Sequence, residues 1–467
     1  MTTSVELTWV SALRAGLASD MVHDDADTLE RHSRDSAPFS PAGTPAVVVT
    51  PETAEQVRHV LRVAHAHGVP VVPQGARTGL AGAANADDGC IVLSLLRMNR
   101  ILEIDRGNRL VRCEPGVTNR GLSDAVAAHG LFFPPDPASW NDCTIGGNIA
   151  VGAGGLCCVK YGVTADYVLG LSVVLADGEL VRTGRRTVKG VAGYDLTRLF
   201  VGSEGTLGVI VEATLSLRPA PGPSLAMLAQ FPSATAAGEA VAAIIGRGHV
   251  PSALELMDQV TTRAVADVGH PMLSGDAAAT LIVECDDRDP AAEVAAIAEL
   301  CRTAGAVAVT VAADQEESKR VLDARRLVLP ALQRQAASLP GRPTAFIEDV
   351  AVPRTRLAEF IDRIALIAAE HDLYISTVGH AGDGNLHPTV VFDQADPSAF
   401  ARAERAYDAI MEAGLALGGT ITGEHGVGIL KREWLRRELD PGALRIQQGI
   451  KNLLDPEGVL NPGKVLA

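Results

Sequence analysis

The sequence predicts an α+β protein of two or three domains, and three observations support that fold class. The chain has 467 residues, of which 47% are hydrophobic, so it is long enough to bury more than one core. Short apolar strands separated by glycine and proline fill residues 45–218. Beyond residue 223, longer alanine-rich helices alternate with strands, a pattern typical of one sheet covered by helices. We therefore expect a loop-rich first domain and a smaller α+β domain.

Composition excludes several classes of partner. The net charge is −15 and the pI is about 5.3, whereas nucleic acids and anionic membranes bind basic surfaces. No apolar run is long enough to span a bilayer, and no basic residue precedes the first apolar stretch. We expect a cytoplasmic protein with a small-molecule substrate, no nucleic-acid partner and no transmembrane segment.

The cysteines indicate a reducing compartment. The seven residues are scattered and contain no Cys-x-x-Cys pair, which disfavours a disulfide scaffold, a zinc ribbon and an iron–sulfur cluster. Cys157 and Cys158 are adjacent, but neighbouring cysteines are geometrically poor disulfide partners, so we interpret them as structural.

Local signals predict the elements of the first domain. Residues 1–44 are expected to form a short helix and a polar lead-in, and residues 46–50 form a strand. Thr53 and Gln56 have the spacing of a capping box, and Gly68 ends the helix that follows. The buried face of this helix is expected to hold Val57, Val60, Leu61 and Ala64. Further strands are expected in VPVV, IVLSL, LVRC, GLSVVLADGELV and LGVIVEATLSL.

A change in composition at PAPGP, residues 219–223, marks the next boundary. After it, FPSATAAGEAVAAIIGRG, AAEVAAIAELCRTAG and TRLAEFIDRIALIAAEHD predict helices, and TLIVEC, AVAVTV, FIEDVAV and LYISTVGH predict strands. The regular pattern ends at ITGEHG, and the last segment is expected to return to the first domain. The predicted divisions are 1–44, 45–220, 221–420 and 421–467.

Two glycine-rich loops in the first half could bind phosphate. They are PQGARTGLAGAA, residues 73–84, and CTIGGNIAVGAGGLCCVKYG, residues 143–162. Glycine lets the backbone approach a ligand closely, and successive N–H groups can surround a diphosphate. Neither loop is a G-x-G-x-x-G in a βαβ unit, so a Rossmann domain is disfavoured. The alternative interpretation is that these glycines only form turns between strands.

The order of motifs across this half resembles the FAD-binding domain of the vanillyl-alcohol oxidase and p-cresol methylhydroxylase (PCMH) superfamily. The matching strings include VPVVPQGARTGLAG, FFPPDPAS, TIGGN and VKGVAGYDLTRLFVGSEGTLGVI. The resemblance implies a two-subdomain, PCMH-type FAD-binding domain, and the absence of histidine from the first loop implies noncovalent FAD. It also implies cofactor contacts at Pro73, Gly75, Ala76, Arg77, Thr78, Gly79, Leu80, Gly82, Pro137, Cys143, Thr144, Gly146, Gly147, Asn148, Ala150, Gly205, Val209, Ile210 and Asn461. Relatives usually read ATNAGG where this chain has glycine at Gly152, so one amide contact is missing.

Histidines and a carboxylate in VGHAGDGNLHPTVVF and GGTITGEHGVGILK suggest a metal site. His380 and His387 flank a GDGN turn and could converge on one cation, to which Glu424 could add an oxygen ligand. Two imidazoles and a carboxylate suit zinc, manganese or iron(II). His425 is expected to point away from Glu424 along an extended backbone. The alternative is that these histidines are turn and core residues with satisfied hydrogen bonds.

The same strings resemble the carboxy-terminal domain of flavoprotein D-2-hydroxy acid dehydrogenases, a group that includes D-lactate and D-2-hydroxyglutarate dehydrogenases and the glycolate oxidase flavin subunit. The resemblance implies a ferredoxin-like capping domain with metal ligands at His380, His387 and Glu424. It also implies substrate contact by Asn385, a general base at His425 and a carboxylate-binding arginine at Arg325. Without it, Arg325 could be an exposed helix residue.

Together the resemblances imply FAD-dependent oxidation of a D-2-hydroxy acid to the 2-oxo acid, assisted by a divalent metal, zinc first. Leu329 and Ile347 stand where relatives that act on dicarboxylates have polar residues, which favours a lactate- or glycolate-like substrate. The alternatives are a D-2-hydroxyglutarate-type dehydrogenase, a non-redox flavoenzyme similar to alkyl-dihydroxyacetone-phosphate synthase, and a non-catalytic subunit. The electron acceptor would be a separate protein, a quinone or oxygen, and a homodimer is compatible with the sequence.

Overall fold

The computed structural model describes residues 3–37, 39–337, 341 and 343–466, so residues 1, 2 and 38 of the predicted lead-in and residue 467 of the last segment lie outside the described residues. In chain order, the α-helices are α1 (Thr3–Ala15), α2 (Ala26–Arg31), α3 (Ala54–His67), α4 (Asn119–Ala127), α5 (Ile145–Val151), α6 (Cys158–Tyr161), α7 (Thr164–Tyr167), α8 (Leu196–Phe200), α9 (Ala234–Gly246), α10 (Gln259–Asp267), α11 (Pro290–Thr303), α12 (Gln315–Arg326), α13 (Val328–Ala337), α14 (Leu357–His371), α15 (Pro397–Ala416), α16 (Arg432–Glu438) and α17 (Pro441–Leu454).

The strands are β1 (Val22–His23), β2 (Val47–Val49), β3 (Val71–Gln74), β4 (Ile91–Ser94), β5 (Ile101–Asp105), β6 (Leu110–Cys113), β7 (Leu131–Phe132), β8 (Val168–Val174), β9 (Leu180–Gly184), β10 (Val209–Ser216), β11 (Arg218–Pro219), β12 (Leu225–Phe231), β13 (Ala253–Asp258), β14 (Ala279–Cys285), β15 (Ala308–Val311), β16 (Pro343–Ile347), β17 (Val350–Ala351), β18 (Tyr374–His380) and β19 (Asn385–Asp393). None of the helices in the described ranges is long and apolar enough to cross a bilayer.

The chain divides into two compact units. The first contains Met1–Gly154, Val163–Ala220 and Glu424–Ala467, and the second contains Gly155–Gly162 and Pro221–Gly423. The short segment Gly155–Gly162 falls within the predicted first domain, residues 45–220, but in the structure it belongs to the second unit. The reason is packing, since a Cβ atom at Gly382 would lie 2.4 Å from a methyl group of Val159.

Two principal sheets form the first unit. A four-stranded sheet has the order β1-β2-β4-β3, and a five-stranded antiparallel sheet has the order β5-β6-β10-β8-β9. Helix α3 begins as predicted, because Thr53 Oγ1 accepts from Gln56 N at 3.3 Å and Gln56 Oε1 accepts from Thr53 N at 3.0 Å. Gly68, at φ +62°, ends it, and its predicted apolar face is buried. Helix α3 and strands β2, β3, β4, β6, β8, β9 and β10 therefore follow the local signals, whereas β1 and β5 were not predicted.

The lead-in contains more structure than the sequence predicts. Strand β1 pairs antiparallel with β2, and α2 follows with Asp25 as its N-cap, which accepts from Thr28 N at 3.0 Å. The predicted helix is present as α1, but β1 and α2 were missed, because a two-residue strand and a six-residue helix are too short to show a hydrophobic period.

The last segment lies along the free edge of the four-stranded sheet. Val71 N in β3 donates to Val459 O at 2.7 Å, and Asn461 N donates to Val71 O at 2.8 Å. Lys464 is buried and pairs with Asp87 at 2.7 Å. These bonds fix residues 459–464 within the first unit.

The second unit has one antiparallel sheet of eight strands. Its order is β15-β12-β14-β13-β18-β19-β16, and β17 also pairs with β19. The alternation of helices and strands correctly predicted a single sheet with helices packed on it, but not the strand order. Apolar residues from the sheet and from α10, α12 and α13 form a common core. The structure assigns no disulfide to the seven cysteines, all of which lie in the described ranges, and burial raises the pKa of Cys285 to about 12.

Asp258 is expected to make the stability of the second unit depend on pH. It is the buried N-cap of α10, and its carboxylate accepts from Thr261 N at 2.7 Å and from Thr377 N at 2.8 Å. Burial nevertheless raises its pKa to about 6. The folded state therefore binds a proton at Asp258 more tightly than the unfolded chain does, and this proton stabilises the fold. The stabilisation is complete below about pH 4 and is lost as the pH rises through about 6.

Urea unfolding from about pH 4 to pH 7 tests this expectation. The unfolding free energy of the wild type should fall by about 2 to 3 kcal/mol relative to that of Asp258→Asn across this window. Asp289→Asn, at the exposed N-cap of α11, is the matched control and should follow the wild type. A difference between wild type and Asp258→Asn that is the same at every pH would refute the assignment.

Candidate functional site

A deep cavity in the first unit is formed by the two glycine-rich loops and the segment around residues 204–210. Every residue of the predicted cofactor set lines it except Gly82 and Asn461. The lining residues that the sequence analysis did not assign to the cofactor are Asp35, Gln74, Ala83, Ala84, Leu95, Pro115, Ala138, Ser139, Val151, Ala153, Gly154, Glu204, Gly208, Glu424 and His425. The structure therefore brings both predicted loops to one cavity.

Close backbone approach explains two of the glycines. A Cβ atom at Gly75 would lie 2.4 Å from Thr144 Oγ1, and a Cβ atom at Gly146 would lie 2.5 Å from Pro115 Cβ. Asn148 presents a buried Nδ2 donor that has no hydrogen-bond partner among the described residues. A glycine-lined cavity with a spare donor suits a ligand that carries oxygen acceptors.

Gly82 and Asn461 support the cavity from outside its lining. Gly82 has φ +80°, and a Cβ atom there would overlap Ser40 Oγ, so the glycine is required by the turn. Asn461 Nδ2 donates to Ala83 O at 2.9 Å and to Glu204 O at 2.7 Å. Both residues support the loops from outside the cavity lining. The resemblance, in contrast, implies that they contact the cofactor directly.

Two buried carboxylates in the cavity were missed by the sequence analysis. Glu204 accepts from Val427 N at 2.7 Å and from Gly428 N at 2.8 Å, and burial raises its pKa to about 7. Asp35 accepts from Ala37 N at 3.0 Å, and burial raises its pKa to about 6. The sequence did contain one signal for Glu204, since it is a single acidic residue in a stretch that is otherwise mostly apolar.

Glu424 and His425 both line this cavity. A Cβ atom at Gly154 would lie 2.5 Å from Glu424 Oε2, so glycine leaves room for the carboxylate. The backbone bends at residues 423–425, and the expectation of an extended backbone was wrong. Glu204 holds residues 427 and 428 immediately after the bend, which positions this segment.

In the second unit, a hairpin brings His380 and His387 together. The β18–β19 register pairs His380 with Asn385 and Val378 with His387, so the imidazoles share one face of the sheet. Their ring centroids are 5.3 Å apart, and both rings are buried. His387 Nδ1 donates to Glu348 O at 3.2 Å.

Glu255 joins this face from the neighbouring strand β13. Its register partner is His380, and His380 Nδ1 donates to Glu255 Oε1 at 2.6 Å. Arg325 Nε, from α12, donates to Glu255 Oε2 at 2.8 Å. Burial raises the pKa of Glu255, but the charges and hydrogen bonds of its two partners outweigh burial, and the pKa lies below its ordinary value. The Arg325 side chain is only 19% exposed, which disfavours the alternative that it is an exposed helix residue.

Asn385 lies beside the two histidines. It is buried, and its Oδ1 has no hydrogen-bond partner in the part of the chain that the structure describes. A Cβ atom at Gly423 would lie 2.5 Å from the Asn385 amide, so only glycine fits there. Asp349, which the sequence analysis missed, accepts from Thr422 Oγ1 at 2.6 Å and from Gly423 N at 2.9 Å. It fixes the segment that leads to Glu424.

Comparison with protein families matches both halves of the chain. Residues 45–184 match the FAD binding domain family, and residues 221–465 match the family described as FAD linked oxidases, C-terminal domain. Glycolate oxidase subunit GlcD of Bacillus subtilis is 42% identical over 91% of this chain and 89% of its own. D-lactate dehydrogenase of Archaeoglobus fulgidus is 36% identical over 90% and 91%. D-2-hydroxyglutarate dehydrogenase of Stutzerimonas stutzeri is 32% identical over 98% of both chains.

Solved structures share the fold. Substrate-bound p-cresol methylhydroxylase aligns with a TM-score of 0.79 at 18% identity, over 100% of this chain and 97% of that one. An alkyldihydroxyacetonephosphate synthase aligns with a TM-score of 0.76 at 18% identity, over 97% and 84%. Likeness at this identity concerns the fold alone, and it confirms the predicted PCMH-type architecture.

Proposed function

Because the chain belongs to the FAD-linked oxidase family of GlcD-type, D-lactate and D-2-hydroxyglutarate dehydrogenases, we propose that it oxidises a D-2-hydroxy acid to the 2-oxo acid. The observation that carries the proposal is that His380 and Arg325 both donate hydrogen bonds to the Glu255 carboxylate. This contact places a candidate metal ligand next to a group suited to bind a substrate carboxylate. A protein that only kept the fold would not need to bury these charges.

The residues of the first unit fit FAD. Gly75 and Gly146 let the cavity-lining segments pack closely together, so that their backbone N–H groups could surround a diphosphate, and the Asn148 amide supplies a donor. The loop at residues 73–84 contains no histidine, so we propose noncovalent binding. When bound, FAD supplies the acceptor for the hydride of the substrate α-carbon.

We propose that His380, His387 and Glu424 hold a divalent cation, zinc first and manganese or iron(II) as alternatives. The donor set fits, because each histidine donates its Nδ1 proton to an oxygen of the protein and so keeps Nε2 in the form that binds a metal. Such a cation supplies positive charge that lowers the pKa of the substrate hydroxyl.

The remaining roles fall to side chains of this chain. The Arg325 guanidinium binds the substrate carboxylate, for which its planar donors are suited. Asn385 contacts the substrate with its amide. A ring nitrogen of His425 accepts the hydroxyl proton, because a neutral imidazole is a base near physiological pH.

We propose a monocarboxylate such as D-lactate or glycolate as the substrate. Leu329 is 46% exposed on α13 and Ile347 ends β16, and neither could bind a second carboxylate. Relatives named for glycolate and D-lactate are consistent with this size, although one relative is named for D-2-hydroxyglutarate. Electrons would then pass to a separate acceptor.

Anaerobic flavin reduction tests the proposal. The purified holoprotein should lose its oxidised-flavin absorbance with D-lactate or glycolate at least about tenfold faster than with D-2-hydroxyglutarate, because an apolar pocket leaves a second carboxylate unpaired. L-lactate is the control for stereochemistry. Reduction by the dicarboxylate alone would establish the larger substrate. An FAD-loaded protein that no hydroxy acid reduces would favour the non-redox alternative.

A further inference from the structure

Glu255 occupies a costly position for a carboxylate. It lies in the interior of the sheet, and every residue of β13 is buried. Removing a carboxylate from water costs several kcal/mol, which is recovered only with paired charges and good hydrogen bonds. Glu255 has both, since Oε1 accepts from His380 and Oε2 accepts from Arg325. An apolar residue would stabilise this strand at least as well, so fold stability alone gives no reason for the glutamate.

The two bonds determine which atoms of its partners face outward. The carboxylate accepts the Nδ1 proton of His380, which assigns the tautomer and turns Nε2 away from β13. It accepts from Nε of Arg325, which is the one Arg325–Glu255 bond among the described contacts, so the two terminal nitrogens of the guanidinium are left for another acceptor. Those nitrogens form the end-on pair that binds a carboxylate in bidentate geometry.

We propose that Glu255 is a positioning residue that couples cation binding at His380 to recognition of the substrate carboxylate by Arg325. The inference rests on the proposed function, because it takes these two roles as given. Its new content is that one buried carboxylate sets both orientations, so that a single change at Glu255 impairs two separate binding steps. Glu255 touches neither cation nor substrate and acts through its partners.

Glu255→Gln tests the coupling in the FAD-loaded protein. Glutamine has nearly the same shape, but it has no charge and its NH₂ group opposes an N–H of one partner, so the side chain must shift and can hold neither His380 nor Arg325 as the carboxylate does. We expect the Kd for Zn²⁺, measured without substrate, to rise about 10- to 100-fold. We also expect KM for the hydroxy acid that reduces the wild-type flavin to rise about 10- to 100-fold, with FAD content unchanged.

Glu284→Gln is the matched control. Glu284 lies on the adjacent strand β14, where Ser224 Oγ donates to it at 2.6 Å, and it has no bond to His380 or Arg325 among the described contacts. This variant should keep wild-type Zn²⁺ affinity and KM. If Glu255→Gln does not fold, Glu255→Asp replaces it, since the shorter carboxylate cannot hold both partners in their present orientation and should raise both constants tenfold or more.

The outcomes separate the inference from the proposed function. A wild-type protein that binds no Zn²⁺ and is reduced by no hydroxy acid would remove the proposed function. A wild type with both properties and a Glu255 variant that keeps both constants would overturn the coupling alone. A change in only Zn²⁺ affinity or only KM with Glu255→Gln would also overturn it, because coupling requires both.

Discussion

His425→Ala is expected to lower the rate of flavin reduction at saturating substrate by about a hundredfold or more while FAD stays bound. A general base in contact with the reacting proton typically contributes a factor of about 10² to 10⁴. His425 lines the cavity beside Glu424, on a bend that Glu204 holds through two backbone N–H groups. Removing the imidazole leaves these bonds and the glycine loops in place, so the loss should fall on kcat.

Stopped-flow reduction of the anaerobic holoprotein measures this rate, and flavin absorbance gives the FAD content. His67→Ala, at the exposed end of α3 in the same unit, is the control and should behave as the wild type. Added imidazole should restore part of the rate in His425→Ala, because a free base can enter the space. A wild-type rate in this variant would show that another group accepts the proton.

Local patterns predicted those parts of the fold whose causes are local. The capping box at Thr53, the glycine that ends α3 and the alternation of helices and strands after residue 223 all depend on neighbours in sequence. The two phosphate-type loops were found for the same reason, since each is a continuous glycine-rich string. Their meeting at one cavity followed from the resemblance and could not be derived from spacing.

The buried carboxylates could not be predicted, because their partners are distant in sequence. Glu204 accepts from residues 427 and 428, Glu255 pairs with His380 and Arg325, and Asp349 holds Thr422 and Gly423. A single acidic residue among apolar neighbours interrupts the hydrophobic pattern, but the sequence does not indicate which distant residue pairs with it. These pairings position the candidate functional residues. The sequence therefore indicated which residues carry the chemistry, but not the buried carboxylates that hold them in place.

The second large effect is expected from removal of a proposed metal ligand. His387→Ala should lose most of its bound zinc and reduce turnover by about 10² to 10³, since a Lewis-acid cation contributes several kcal/mol to the reaction. The imidazole is buried and oriented by its Nδ1 bond to Glu348 O, and alanine supplies no ligand atom in its place. FAD should stay bound, because His387 lies outside the unit that contains the glycine loops.

Metal analysis of the purified protein and flavin reduction by the preferred hydroxy acid measure the two effects on the same sample. His249→Ala is the matched control, because His249 is a half-buried histidine of the second unit whose Nδ1 bonds Glu293 at 2.7 Å, outside the proposed site. It should retain zinc and activity. Dialysis against a chelator should bring the wild type to the rate of His387→Ala and leave that variant unchanged, since both would then lack the cation. If His387→Ala kept full zinc and full turnover, the three-ligand assignment would be wrong, and the histidines would be structural residues of the hairpin.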